Sequence, residues 1–584
     1  MIWYFTVAAC LLFDWWMMKT ELGFSYSNAF GTLSKAVGDV ALVLIPYWIL
    51  PPRWRWSAIL PVCLMSVWCI ANLAYYRFWG DLIPSAAFTM GGNVDGSLFK
   101  YGMALLRWSD LLFILSPCVA WIVMVRIRLF QTSPFSTKIK LGCLGISLII
   151  GFLGQMSYFK STSSWRGVNT DQSLKEDLYD HFIGGYTGQK QLYIYNGPIY
   201  YCVRFIADAV SVLTSSIDLD DSQKELITGF LSRYERNGNQ DVVDYNYDAS
   251  CERMIDPDSV NVVYIIVESL NADMVGKKIG GMEVMPVLDS LSGRNGTVVF
   301  DNVVSQIKAA SSSDGHLLLL TGLLPPEKIA YSIMYGAQNT YPSLADVLPD
   351  HHKYLLLADD GVCWNEGKTL CNFGLGDPLV MKDRAEFDVN VFGRDGAMFM
   401  QAIDMVSKDK VKTPFLMTLM TISMHIPFTE EAWKLPQELI DAEGISDMEK
   451  DYANMCHNTD RYIGEFLKCL PENTIVFIAS DHHQSVATDS KETPMAFFMA
   501  LHTGRTERVS RVVGQVNLFP ATLDILGYRG SYGGLAPSAF NPDVDGSVDS
   551  YGNIYGNPSK ETLGTLSEAY RISDLIIRGD FFRK

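Results

Sequence analysis

"VNVVYIIVES", residues 260–269, is apolar without a break from Val262 to Val267 and then meets an acid, Glu268. A strand with one wet face would alternate. An unbroken run suits a strand covered on both faces, as in the middle of a parallel sheet. Five further stretches share this texture: "GTVVFDNVVS" (296–305), "HKYLLLAD" (352–359), "TPFLMTLMTIS" (413–423), "NTIVFIASD" (473–481) and "TPMAFFMAL" (493–501). Helical patterns lie between them: "MPVLDSLS", "YPSLADVLPD", "DGAMFMQAIDMVSK", "EKDYANMCHNTDRYIGEFLKCL" and "NLFPATLDILGY". Alternating strands and helices predict an α/β domain with a mostly parallel sheet over 259–545.

In open α/β sheets, ligands bind beyond the carboxyl ends of the strands. The residues expected there are Glu268, Asp359, Asp360, His425 and the run Asp481-His482-His483. A loop with Ser311, Ser312, Ser313 and Asp314 precedes a leucine-rich helix, and His316 follows on that helix. Each residue alone has an ordinary structural use. A serine caps helices, Glu268 suits a strand-end salt bridge, and a single histidine such as His425 or His483 often only fills space. Together, carboxylates, imidazoles and a hydroxyl at one edge suit a divalent cation such as Mn²⁺, Mg²⁺ or Zn²⁺. A hydroxyl on such a cation becomes a nucleophile near neutral pH. The chemistry expected is displacement at phosphorus or sulfur through a covalent seryl intermediate.

The chain upstream has a different character. Apolar residues make up 48% of the 584 and crowd the first 160 positions. Five runs suit membrane helices, near 2–18, 36–50, 57–77, 109–125 and 139–157. The first two carry Asp14 and Asp39. There is no basic segment before the first run, which argues against a cleaved signal peptide. Arg53 and Arg55, then Arg126, Arg128, Lys138 and Lys140, lie in connections without acids. The positive-inside rule puts these connections in the cytoplasm, and with them the N-terminus. Everything after about residue 158 is then extracytoplasmic, and the chain is expected in the cytoplasmic (inner) membrane as a multi-pass protein. The net charge of −17, with no basic patch to offset it, argues against a nucleic-acid partner.

The expected organisation is a transmembrane domain of five helices (1–157), a linker with helical segments (158–258), a catalytic domain (259–545) and a C-terminal extension (546–584). Of eleven cysteines, six lie beyond the spans: Cys202, Cys251, Cys363, Cys371, Cys456 and Cys469. An oxidising compartment permits disulfides among them, and Cys363–Cys371 is the spacing of a loop staple.

Several segments resemble the alkaline phosphatase/sulfatase superfamily, and within it the lipoteichoic acid synthase-like branch of phosphoglycerol and phosphoethanolamine transferases. "IIVESL" (265–270) is similar to that branch's first metal-ligand strand, and "IASDHH" (478–483) to its Asp-His pair. "TISMHIPF" (421–428) resembles its histidine loop, "VNLFPATLDILG" (516–527) its late helix, and "YYRFWGDLIP" (75–84) with "GNVDGSL" (92–98) its segment between spans 3 and 4. The branch's nucleophile motif is Gln, five residues, then Thr-Ser-Asp. Here Gln306 is followed by five residues and Ser312-Ser313-Asp314. The resemblance implies that Ser312 is the nucleophile. It implies one metal, typically Mn²⁺, on Glu268, Ser312, Asp481 and His482, with His425 beside the transferred phosphoryl group. The formylglycine route of true sulfatases needs Pro and Arg after the reactive residue, and Ser-Asp-Gly-His stands there instead. In the headgroup segment Asp359 and Trp364 fit the branch, while Leu357 and Glu366 occupy positions of a histidine and an arginine. Glu366, with Asp359 or Asp360, would then face a cationic headgroup, with His483 a further substrate-side residue.

The expectation is a membrane-anchored, metal-dependent transferase. It would move glycerol phosphate or phosphoethanolamine from a phospholipid donor to a glycan or lipid acceptor hydroxyl. The alternatives are a phosphodiesterase or phosphatase-type hydrolase with the same site, and a non-catalytic membrane binding protein.

Overall fold

The computed structural model describes residues 1–22, 29–79, 82–83, 106–127, 135–163, 217–234, 259–308, 311–326, 330–361, 363–384, 386–426, 428, 430, 432–484, 495–528, 533–549 and 552–583. Most of the expected linker lies outside them, as do Cys202, Cys251 and most of the segment expected between spans 3 and 4. Two compact units form, residues 1–88 with 94–211, and residues 89–93 with 212–584.

The first unit contains α1 (Ile2–Glu21), α2 (Ala29–Ile49), α3 (Ile59–Trp79), α4 (Leu112–Arg126) and α5 (Thr137–Ser163). Among the described residues, three stretches are long and apolar enough to cross a membrane: Pro52–Arg77, Trp108–Arg126 and Thr137–Gly154. The acids that interrupt α1 and α2 are buried and partnered. Asp14 accepts hydrogen bonds from Ser66 Oγ (3.0 Å) and Ser116 Oγ (2.6 Å), and Asp39 pairs with Lys35 at 2.9 Å. A buried charge without such partners would be expensive.

The second unit is built on an eight-stranded sheet. Its strands are β1 (Asn261–Val267), β2 (Val298–Val304), β3 (His352–Leu357), β4 (Pro378–Leu379), β5 (Phe415–Met420), β6 (Thr474–Ser480), β7 (Met495–Leu501) and β8 (Glu507–Gly514). The order is β8-β2-β7-β6-β1-β5-β3-β4. All neighbours are parallel except the two pairings made by β7. β1 is central, with Val262–Ile266 beside Leu416–Met420 of β5 and Asn261–Val267 beside Thr474–Ser480 of β6.

The unbroken run of β1 is explained by its two covered faces. Val262, Tyr264 and Ile266 belong to one hydrophobic core. Val263, Ile265 and Val267 belong to another. Burying each such side chain contributes about 1.5–3 kcal/mol. The first core is closed by α6 (Asp221–Leu231), α7 (Ser312–Thr321), α10 (Leu518–Leu526) and α11 (Lys560–Arg578), and the second by α8 (Val389–Ser407) and α9 (Asp447–Leu467). Ile227 and Phe230 of α6 share the first core with Ala569, Ile572 and Ile576 of α11. Segments on either side of residues 259–545 therefore pack onto the same sheet face. One expectation is corrected: Cys371 is a free cysteine, its Sγ 3.7 Å from Asp377 Oδ1, so the Cys363–Cys371 staple is not formed.

Candidate active site

Four strand ends and one helix start meet at a single edge of the sheet. β1 delivers Glu268, β6 delivers Asp481 and His482, β5 leads to His425 and β3 to Asp359. α7 begins at Ser312. Adjacent parallel strands end side by side, so this convergence follows from topology.

Ser312 Oγ donates to Glu268 Oε2 at 2.9 Å and lies 3.2 Å from His482 Nε2. Ser311 occupies the N-cap position but makes no side-chain cap bond, and its φ of 41° is in the left-handed region. Such a backbone costs of order 1–3 kcal/mol and persists where its surroundings enforce it. The surroundings here are specific. Asp314 Oδ2 accepts from Lys308 N at 2.8 Å, and Tyr331 Oη donates to the Ser313 carbonyl at 3.0 Å. Behind the turn, Leu317–Leu320 are all buried. Gly315 abuts Asp481, where a Cβ would lie 2.2 Å from the Asp481 carbonyl oxygen.

Glu268, Asp481 and His482 each place a ligand atom within 4.8 Å of the others. Ser269, itself at φ 52°, donates its hydroxyl to Glu268 Oε1 (2.6 Å) and its N–H to Asp481 Oδ1 (2.7 Å). The His482 N–H also donates to Asp481 Oδ1 at 2.7 Å. Asp481 Oδ2 is buried and has no hydrogen-bond partner among the described residues. His482 Nδ1 is 2.9 Å from the His483 carbonyl, which fixes the proton there and turns Nε2 toward the carboxylates. Burial pushes Asp481 up to about 8, helped by the Glu268 charge. Burial also acts on Glu268, but the charges of His482 and His425 and the Ser269 hydrogen bond hold it below its ordinary value. Two buried carboxylates thus share too little positive charge. A divalent cation would supply it, and the unpartnered Asp481 oxygen and the oriented imidazole nitrogen suit one.

A pocket of ≈ 460 Å³, counting the solvent open to it, lies in front of the serine. Its walls include Glu268, Ser312, His316, Asp359, Trp364, Glu366 and His425. His425 Nδ1 is 2.6 Å from the Ile426 carbonyl. Burial lowers the His425 pKa, partly offset by Glu268. His316 Nδ1 stands 3.4 Å from Glu366 Oε1. His483 is not one of the lining residues; it contributes its carbonyl to His482.

Several supports carry no sequence signal of their own. Gln515 Nε2 donates to the Asp481 carbonyl at 2.6 Å, while its Oε1 accepts from Gln306 N at 2.8 Å. Gln306 Oε1 in turn accepts from Val516 N at 3.0 Å. Thr421 Oγ1 accepts from Glu268 N at 2.9 Å. Gln306 was visible as the start of a spacing; Gln515, one residue before the late-helix motif, was not.

Known proteins match both parts of the chain. The sulfatase family matches residues 260–528, and the lipoteichoic acid synthase N-terminal domain matches residues 3–196. A lipoteichoic acid synthase from Staphylococcus aureus is 23% identical over 592 residues, covering 90% of this chain and 85% of the relative. Among solved structures, the integral membrane lipooligosaccharide phosphoethanolamine transferase A of Neisseria meningitidis covers 90% of this chain and 95% of its own. Its TM-score is 0.53 at 13% identity, a likeness of fold.

Proposed function

Because the chain is a lipoteichoic acid synthase-like member of the alkaline phosphatase/sulfatase superfamily, we propose that it is a membrane phosphotransferase. It moves a phospho-headgroup, glycerol phosphate or phosphoethanolamine, from a phospholipid to an acceptor hydroxyl on a glycan or lipid. The observation that carries this reading is the Ser312 hydroxyl held 2.9 Å from Glu268 and 3.2 Å from His482, at a helix start facing a pocket.

Glu268, Ser312, Asp481 and His482 would hold one divalent cation, Mn²⁺ by resemblance, which favours the serine alkoxide and offsets charge on the phosphoryl oxygens. The chain's own residues do the rest. Ser312 Oγ forms the new bond to phosphorus as the bond from phosphorus to the diacylglycerol oxygen breaks. His425, in the pocket wall with its Nδ1 proton on the Ile426 carbonyl, takes the Ser312 proton at Nε2 and passes it to the leaving diacylglycerol oxygen. The acceptor oxygen then bonds to the same phosphorus as the bond from phosphorus to Ser312 Oγ breaks, and the acceptor's proton ends on Ser312. The N-terminus of α7 adds a partial positive charge where the phosphoryl oxygens gather. Asp359, Trp364 and Glu366 line the headgroup side.

We further propose that all five N-terminal helices span the cytoplasmic membrane, with the N-terminus inside and the catalytic domain outside, beside the outer-leaflet donor. The basic connections at Arg53–Arg55 and 126–140 support this orientation. The test is diacylglycerol release from phospholipid vesicles by the detergent-solubilised chain, with products followed with and without an acceptor. Headgroup found on the acceptor supports transfer. Free phospho-headgroup at the same rate with acceptor present would make the protein a hydrolase.

A further inference from the structure

The headgroup side of the pocket has a composition of its own. Ser312 and His316 lie four residues apart on α7, so they share one face about 5–6 Å apart. Glu366 Oε1 is 3.4 Å from His316 Nδ1, and the Glu366 side chain is 15% exposed. Its carboxylate thus lies beside the residue one helical turn beyond Ser312, in the wall of the same pocket. Asp359 and Trp364 line the same wall. Trp364 is 6% exposed, and it and Asn365 both have φ of 55°, a costly pair of left-handed residues that holds the indole in place. The charges that act on Glu366 are those of Asp359, Glu268 and Asp481, all negative; Arg394 and Arg384 act on Asp359 instead. A cation on the metal-site carboxylates still leaves Glu366 without one of its own, whereas Asp359 has the two arginines. Ser313, also in the lining, has a buried hydroxyl with no hydrogen-bond partner among the described residues.

We infer that Glu366, with Asp359 and the Trp364 ring, receives the primary ammonium group of the donor's headgroup, so that the group transferred is phosphoethanolamine. An ammonium on a two-carbon arm from a phosphorus at Ser312 reaches one helical turn away. It donates charge-assisted hydrogen bonds to the carboxylates and lies against an indole face that favours cations. A glycerol arm presents only hydroxyls and leaves Glu366 without a counter-charge. The inference rests on the transferase reading and narrows its donor.

The test presents the detergent-solubilised full chain, with Mn²⁺, with mixed vesicles holding equal phosphatidylethanolamine and phosphatidylglycerol. The two lipids carry acyl chains of different mass, so the diacylglycerol released reports its source. The expected result is release from phosphatidylethanolamine exceeding that from phosphatidylglycerol by about tenfold or more. Glu366→Gln should reduce that ratio toward one and Glu366→Arg should invert it. Equal release from the two lipids, or more from phosphatidylglycerol, by the unmodified chain overturns the ammonium subsite and leaves the transferase standing. Release from neither lipid overturns the transferase reading, and the subsite with it.

Discussion

Gly315 sits against the backbone of Asp481 so closely that a Cβ added to it would stand 2.2 Å from the Asp481 carbonyl oxygen and 2.7 Å from its carbonyl carbon. The helix that carries Ser312 is thereby seated on the strand end that carries the Asp481 carboxylate. The contact sets the spacing between the Ser312 hydroxyl and the Glu268, Asp481 and His482 cluster. Gly315→Ala should push α7 outward. It should cost about 1–3 kcal/mol of stability, as overpacking does, and lower turnover by at least the tenfold range that a displaced nucleophile implies. Thermal unfolding and turnover measured together check this. An Ala variant with normal turnover would show that the close seating is not needed.

Metal dependence should appear in stability as well as in turnover. A cation present at a hundred times its Kd stabilises the folded state by about 2.7 kcal/mol. Added Mn²⁺ should therefore raise the unfolding temperature of the chelator-treated protein. Asp481→Asn keeps an acceptor oxygen for the Ser269 and His482 N–H groups, which use Oδ1, but removes the charge. The variant should fold and lose the Mn²⁺-induced shift. A shift of unchanged size in Asp481→Asn would move the metal elsewhere.

Gln515 links three strand-end segments, with its amide N–H on the Asp481 carbonyl and its oxygen on Gln306 N. Gln515→Leu strands both partners, at about 1–3 kcal/mol each for a buried unsatisfied group. A lower unfolding temperature should accompany a lower turnover and a weaker response to Mn²⁺. Gln515→Glu restores only the acceptor, so it should recover part of the loss at most. Full recovery would show that the amide bond to Asp481 is dispensable.

Asp395 lies beneath the histidine loop, accepting from Ile422 N (2.7 Å), Ser423 N (3.1 Å) and Thr459 Oγ1 (2.8 Å). Burial still pushes it from 3.8 up to about 6. Its folded pKa lies above its unfolded one, so the native state binds more protons between those values. Stability from this group is greatest below about pH 4 and declines as pH rises to about 6. Replacing it by Asn should flatten that part of the stability–pH curve. An unchanged slope in Asp395→Asn would assign the pH dependence to other groups.

Much of the fold was legible because burial on two faces leaves a plain mark. The runs at 262–267 and 475–479 are apolar without alternation, and they form most of β1 and β6 at the sheet centre. The acids and histidines that end them then had to gather at one edge. What the sequence did not show is the support. Ser269 and Gln515 act through hydrogen bonds to residues 212 and 34 positions away, and no local period reports such a bond. The packing of α6 on α11 was hidden for a related reason: each helix is only amphipathic by itself, and only the fold shows that both cover the same sheet face. In the N-terminal unit, Asp14 made the first apolar run ambiguous until its serine partners on α3 and α4 were seen.

The central claim is that Ser312 carries the transferred group. The full-length protein is incubated with Mn²⁺ and phospholipid vesicles without acceptor, quenched in acid and digested, and the peptide spanning 309–322 is weighed. A phospho-headgroup ester on Ser312, absent from Ser312→Ala together with lipid turnover, is the predicted result. Lipid turnover that persists in Ser312→Ala, or an ester that maps to Ser311 or Ser313, would contradict it.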